Sequence, residues 1–199
     1  MIIGIYSFSV LFSYLGLIFS FTSCAFLINN NIKLAMIFFM LMGLIDMIDG
    51  KVARQFKRSK FEKKFGVQID TVLDVFNFAA IPVAIIYLIG FNDIITMIFA
   101  FLYAFSAIMR LAYFNTLADE GNDPDIYYGL PTTTISLYLP LTILIYNLIK
   151  SIWVIRIMLL IISFCYIVNV KIIKPHSLKF YLTMIFTGLS ILLGLIFTL

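Results

Sequence analysis

Seven apolar runs, each close to the length that a bilayer demands, follow one another along this 199-residue chain with little polar sequence between them. A helix needs about 20 apolar residues to cross the hydrocarbon core. Inside lipid every backbone N–H and C=O must find its partner within the protein, which leaves helices or closed barrels. The runs lie at about 4–28, 34–53, 67–90, 94–117, 130–149, 152–171 and 178–198. They are separated by NNNIK at 29–33, a basic stretch at 54–64, Gly90 to Asp93, an acidic stretch at 118–128, Lys150-Ser151, and KIIKPHS at 171–177. The chain is 63% hydrophobic and 12% charged, against about 45–50% and about 25% in soluble domains. The expectation is an all-α integral membrane protein, a bundle of about seven transmembrane helices within a range of 6–8, forming a single domain over residues 1–199. The opening MIIGIYSFSV has neither the basic start nor the small-residue cleavage site of a secretory signal, so the first run is read as a retained span. An interfacial stretch ahead of that span is the alternative.

Basic residues orient the bundle. Lys51, Arg54, Lys57, Arg58, Lys60, Lys63 and Lys64 crowd one connection, and Lys171, Lys174 and Lys179 flank another on the same side. The opposite connections offer Lys33 and Lys150, with Asp93. The positive-inside rule places the N-terminus, the basic stretch and the acidic loop ADEGNDPDIYYG in the cytoplasm, making this a multi-pass protein of the cytoplasmic membrane. The basic stretch anchors the chain to anionic membrane lipids and also suits an anionic substrate arriving at the surface. Its confinement to one membrane face argues against nucleic acid. Cys24 and Cys165 stand alone in apolar runs and read as packing residues, while His176, the single histidine, excludes a histidine-built metal site or triad.

Four aspartates interrupt this hydrophobicity: Asp46 and Asp49 at the end of one run, Asp70 and Asp74 at the start of the next. A carboxylate at the middle of a membrane costs about 2.5–3.5 kcal/mol on insertion scales, so such residues mark functional sites. Spacings of three and four put each pair on one helical face. With a rise of about 1.5 Å per residue, all four reach a similar depth near the cytoplasmic surface. Hard oxygen ligands suit Mg²⁺, Mn²⁺ or Ca²⁺, and four carboxylates exceed what one Mg²⁺ takes, which makes a two-metal site plausible. Pairing with Lys51 and Arg54, or a cation-coupled transporter's ion path, are the competing readings. A transporter would show internal repeats and midplane sites, and no repeat is visible.

The string Asp46-x2-Asp49-Gly50-x2-Ala53-Arg54-x11-Gly66-x3-Asp70-x3-Asp74 resembles the signature of the CDP-alcohol phosphotransferase family, with every fixed position filled and a spacer longer than the usual one. The resemblance implies transfer of a phosphatidyl group from a CDP-linked lipid to an alcohol. It implies two Mg²⁺ or Mn²⁺ ions held by Asp46, Asp49, Asp70 and Asp74, and CDP-lipid contacts from Asp49, Gly50, Ala53, Arg54 and Gly66. Asp74 becomes the catalytic base, and a homodimer is expected. Three further stretches, Asp70-Thr71-x2-Asp74, Arg110-Leu-Ala-Tyr113-Phe-Asn115 and Gly129-Leu-Pro131, are similar to the phosphatidylserine synthase branch. Tyr113, Asn77 and Ala79 depart from it, standing where arginine, serine and glycine are common. On this reading CDP-diacylglycerol and L-serine are the substrates, with Arg110, Tyr113, Asn115 and Thr71 holding the acceptor and the acidic loop answering its ammonium group. Glycerol-3-phosphate or inositol phosphate are the alternative acceptors.

Overall fold

The computed structural model describes residues 4–6, 8–53, 55–120, 126–173 and 178–198. Among them run seven helices: α1 Phe8–Ile28, α2 Ile32–Ala53, α3 Lys60–Leu88, α4 Ile94–Asp119, α5 Thr132–Ile149, α6 Trp153–Ile167 and α7 Leu178–Thr198. Helix α1 packs along α2, α4 along α6, and α5 along α7, with α2 also touching α5. The seven-helix, all-α expectation holds. Helix α3, α5 and the segments Ile94–Leu117 and Tyr181–Thr198 are long and apolar enough to cross a membrane, while Ser13–Ile28 and Trp153–Ile167 are apolar and shorter. Phe101, Phe105, Phe186 and Phe197 turn outward on these helices. Lipid is the solvent that accepts such a surface, and the chain is a membrane protein.

Two boundaries differ from the sequence expectation. Helix α3 starts at Lys60 and not at 67, because Ser59 caps it: Ser59 Oγ accepts from Glu62 N–H at 3.2 Å while Glu62 Oε2 accepts from Ser59 N–H at 2.7 Å. That reciprocal box satisfies two N-terminal donors and draws the end of the basic stretch into the helix. Helix α6 ends at Ile167. Its continuation forms β2, Lys171–Ile173, which pairs antiparallel with β1, Ile126–Tyr128, in the register Ile126 to Ile173. This strand pair ties the α4–α5 connection to the α6–α7 connection. Gly129 follows β1 at φ +72°, where a Cβ would stand 2.8 Å from the Tyr166 carbonyl oxygen.

Within α3, residues Val75–Ala80 widen into a π-helical turn directly after Asp74. Pro82 supplies the cause. It has no N–H for the carbonyl four residues back, and its ring crowds that carbonyl. The orphaned oxygen belongs to Phe78, and it accepts instead from the buried hydroxyl of Tyr103 on α4. Tyr103 in turn lies beside Tyr166 of α6, ring centroids 5.8 Å apart, and Tyr166 donates to Thr132 O at 3.1 Å. One proline thus ties α3 to α4, with α6 and α5 following through two tyrosines.

At the other end of the bundle Arg156 of α6, buried, donates to Asp93 Oδ1 at 2.8 Å and to Thr96 Oγ1 at 3.1 Å, with its guanidinium 4.9 Å from the Trp153 ring. Thr96 donates to Asp93 through both its backbone N–H and its hydroxyl. Gly188 and Gly194 of α7 abut Leu137 and Leu144 of α5, the packing role expected of small residues between membrane helices. Cys24 and Cys165 are free thiols, as expected. His176 lies outside the described residues.

Candidate active site

Helices α2 and α3 bring their aspartates together. Asp46, Asp49 and Asp70 each offer an oxygen within 4.8 Å of the other two. The Asp74 carboxyl comes within hydrogen-bonding reach of Asp46. Carboxylates this close repel one another unless a proton or a cation lies between them. Oxygen ligands about 2.1–2.4 Å from a common ion lie at most about 4.2–4.8 Å apart, so the observed spacing fits a hard divalent cation. The donor set, all carboxylate, fits Mg²⁺ or Mn²⁺ and would serve a soft metal poorly.

Helix α1 closes a third side. Ser13 donates to Asp49 Oδ2 at 3.1 Å, and Ser13, Gly16, Ile45, Leu73 and Asn77 line the cleft with Asp46, Asp49 and Asp70. Asn77 is itself fixed from α1, because Ser20, fully buried, donates to Asn77 Oδ1 at 2.6 Å. The π turn that places Asn77 here begins one residue after Asp74.

Helix α4 supplies the positive counterpart. Arg110 is 7% exposed and lies within charge range of Asp74 and close to Tyr166, with its guanidinium 5.9 Å from the Phe114 ring. Asn115 Nδ2 donates to Thr71 Oγ1 at 2.7 Å, and the Thr71 hydroxyl donates on to Val67 O at 2.8 Å. Two of the four residues expected at the acceptor, Thr71 and Asn115, therefore meet at the α3–α4 contact, while Arg110 interacts with Asp74. Tyr113 does not join them: it is 51% exposed and its ring faces Tyr128 of β1. Its spacing of three from Arg110 is a one-face spacing, but β1 takes the ring. Gly50 and Gly66 lie on the α2 and α3 segments that frame the site, Ala53 ends α2, and Arg54 lies outside the described residues. Of the acidic loop, Glu120 is exposed, and Asp123 and Asp125 lie outside the described residues.

A sequence profile for CDP-alcohol phosphatidyltransferases matches residues 7–195. The chain belongs to that family. Curated relatives are named CDP-diacylglycerol–serine O-phosphatidyltransferase. The Saccharomyces cerevisiae protein is 34% identical over 110 residues, 51% of this chain and 39% of that protein. The Helicobacter pylori protein is 31% identical over 106 residues, 52% and 43% of the two chains. That of Mycobacterium tuberculosis is 28% identical over 115 residues, 55% and 39%. The matches thus span less than half the length of these relatives.

Within the family's architecture, the side chains that sequence reasoning missed come from α1. Ser13 and Gly16 stand three apart, the same one-face spacing that marked the aspartates. Serine in an apolar helix ordinarily bonds back to its own backbone, as Ser106 does to Leu102 O at 2.7 Å, so its residue type alone carried no signal.

Proposed function

We propose that this membrane phosphatidyltransferase moves the phosphatidyl group of CDP-diacylglycerol onto the hydroxyl of L-serine, giving phosphatidylserine and CMP. The observation that carries the reading is the convergence of Asp46, Asp49 and Asp70, with Asp74 hydrogen-bonded to Asp46 and Arg110 within charge range of Asp74. Asp46, Asp49, Asp70 and Asp74 would hold the one or two Mg²⁺ or Mn²⁺ ions that this donor set fits. Such ions, when bound, supply the positive charge that a diphosphate and its departing nucleotide require.

The chain's own residues do the rest. A neutral hydroxyl is a weak nucleophile, so a carboxylate must take its proton as the new bond forms. Asp74, at the junction of α3 and α4, takes the serine proton as the serine oxygen attacks the β-phosphorus. The P–O bond to CMP breaks, and the proton passes to solvent. Arg110 matches a carboxylate with its planar fork and orients serine. Asn115 and Thr71, already bonded to each other, offer the remaining amide hydrogen and an oxygen lone pair to the acceptor. Gly50, Ala53 and Gly66 leave room for the nucleotide, and Arg54 contacts phosphate. An apolar cavity of about 150 Å³ between α2, α5 and α7, lined by Met40, Leu44, Met47 and Leu189, adjoins the aspartate-bearing turn of α2 and suits an acyl chain. The site opens to the cytoplasm, the chain works as one domain, and it pairs as a homodimer.

The test is CMP release from CDP-diacylglycerol by purified protein with Mn²⁺ or Mg²⁺ and acceptors supplied singly. Release with serine supports the reading. Release only with glycerol-3-phosphate or an inositol phosphate would overturn the acceptor, and none with any acceptor would overturn the enzyme.

A further inference from the structure

Arg58 sits in the α2–α3 connection, immediately before the Ser59 cap that fixes how the chain enters α3. Its side chain runs back along the helix, bringing Nη1 to 3.5 Å from where a Cβ on Gly66 would stand. Arg58 Nε is buried and has no hydrogen-bond partner among the described residues. Glu62 feels the charge of the guanidinium without satisfying that donor. Gly66, Asp70 and Asp74 follow at intervals of four, so the guanidinium overlies the face of α3 that carries the site carboxylates. Four residues separate Gly66 from Asp70, about 6 Å along the axis. A buried donor left without an acceptor is costly, and more so when charged. A cationic donor held open one turn from an acidic cleft is complementary to an anion that reaches past the cleft.

We propose that Arg58, lying over Gly66, grips a phosphate oxygen of the CDP-linked substrate on the outer side of the aspartates. The inference rests on the phosphatidyltransferase reading and names a nucleotide contact beyond the signature string. Arginine is suited to it, since its fork takes two phosphate oxygens where lysine offers a point charge. Gly66 matters here because its missing side chain leaves Arg58 Nη1, among the described residues beyond the helix's own backbone, the only atom within 4 Å of its Cβ position, so the guanidinium lies directly on the helix.

Wild type, Arg58→Ala and Arg58→Lys are compared in neutral detergent micelles, by CDP-diacylglycerol titration at saturating serine and Mn²⁺ and by calorimetric binding of CDP. Arg58→Ala should raise the KM for the CDP-lipid and the Kd for CDP roughly tenfold, with kcat within about twofold, and Arg58→Lys should recover part of the loss. Unchanged KM and Kd in both variants would overturn the proposal. So would a loss confined to vesicles containing anionic lipid, which would make Arg58 a headgroup anchor. Lack of CMP release by wild type is a separate failure, of the phosphatidyltransferase reading, and CDP affinity still tests Arg58 in that case.

Discussion

Removing the Ser20 hydroxyl should loosen the active site from behind. Ser20 and Asn77 are both buried, 0% and 3% exposed, and their 2.6 Å hydrogen bond joins α1 to α3 one turn beyond Asp74. The Met42 thioether lies 2.9 Å from the same hydroxyl, but it is the weaker acceptor, so the proton goes to Asn77. Ser20→Ala leaves the Asn77 carbonyl oxygen buried with that bond gone. Orphaning a buried polar group costs about 1–3 kcal/mol in general. Measured hydrogen bonds inside membrane bundles average only about 0.6 kcal/mol and reach about 1.7, because the unfolded chain in lipid also finds partners. A fully buried pair joining two helices belongs at the upper end, about 1–1.7 kcal/mol. For a chain of this size each kcal/mol moves the melting temperature by about 2–4 °C, so the expected loss is about 2–7 °C. Replacing both partners, as Ser20→Ala with Asn77→Leu, should restore most of it, because no buried polar group is then stranded. The double variant should still be a poor enzyme, since a leucine would face the aspartates. Thermal unfolding in detergent, read by tryptophan fluorescence, checks both. A Ser20→Ala variant melting within a degree of wild type would refute the reasoning, as would a double variant showing the sum of two independent losses.

Asp74→Asn should lower kcat by about 10²–10⁴, the usual contribution of a positioned base, while CDP binding persists; loss of CDP binding would reassign Asp74 to metal holding alone. Arg110→Ala should raise the serine KM about ten- to a hundredfold, the worth of about 1.5–3 kcal/mol for a hydrogen bond to a charged group, and an unchanged KM would remove Arg110 from acceptor binding. Gly16→Ala should fold normally, because its Cβ would meet Asn77 Nδ2 at an ordinary 3.7 Å, yet lose turnover by narrowing the cleft; full activity would show that nothing enters there. Hydrogen bonds from Thr96, aided by Arg156, hold the Asp93 carboxyl below its usual range, so its stabilising effect is present above the unfolded value of about 3.9 and fades as pH falls through the lower folded value. Asp93→Asn should therefore melt below wild type at pH 7, with the gap closing in acid; a constant gap would assign the effect to shape alone.

The helices were legible because lipid imposes one length on every span, and the aspartate faces because spacings of three and four can mean little else in an apolar helix. Other features were written in residues whose meaning depends on a distant partner. Arg156 gives no signal because it lies inside an apolar run, and its contacts with Asp93 and Thr96, 63 and 60 positions away, explain how a buried cation is tolerated there. The strand pair covers three residues on each side, too short for any alternation to register. Pro82 carries its own signal: a proline inside a span announces a freed carbonyl four residues earlier, and the π turn after Asp74 follows from it.

The site also has a wall that the signature string does not mention. Two helices carrying four carboxylates would leave them facing lipid along one side, and α1 covers that side with hydroxyls and a glycine in place of leucines. Ser13 answers Asp49, Ser20 fixes Asn77, and Gly16 between them keeps the cleft open. These residues fall at 13, 16 and 20, a single helical stripe. Helix α1 is therefore a wall of the acidic cleft and more than an anchor. A family signature confined to 46–74 finds the chemistry, while the polar stripe on α1 is what makes that chemistry tolerable in a membrane.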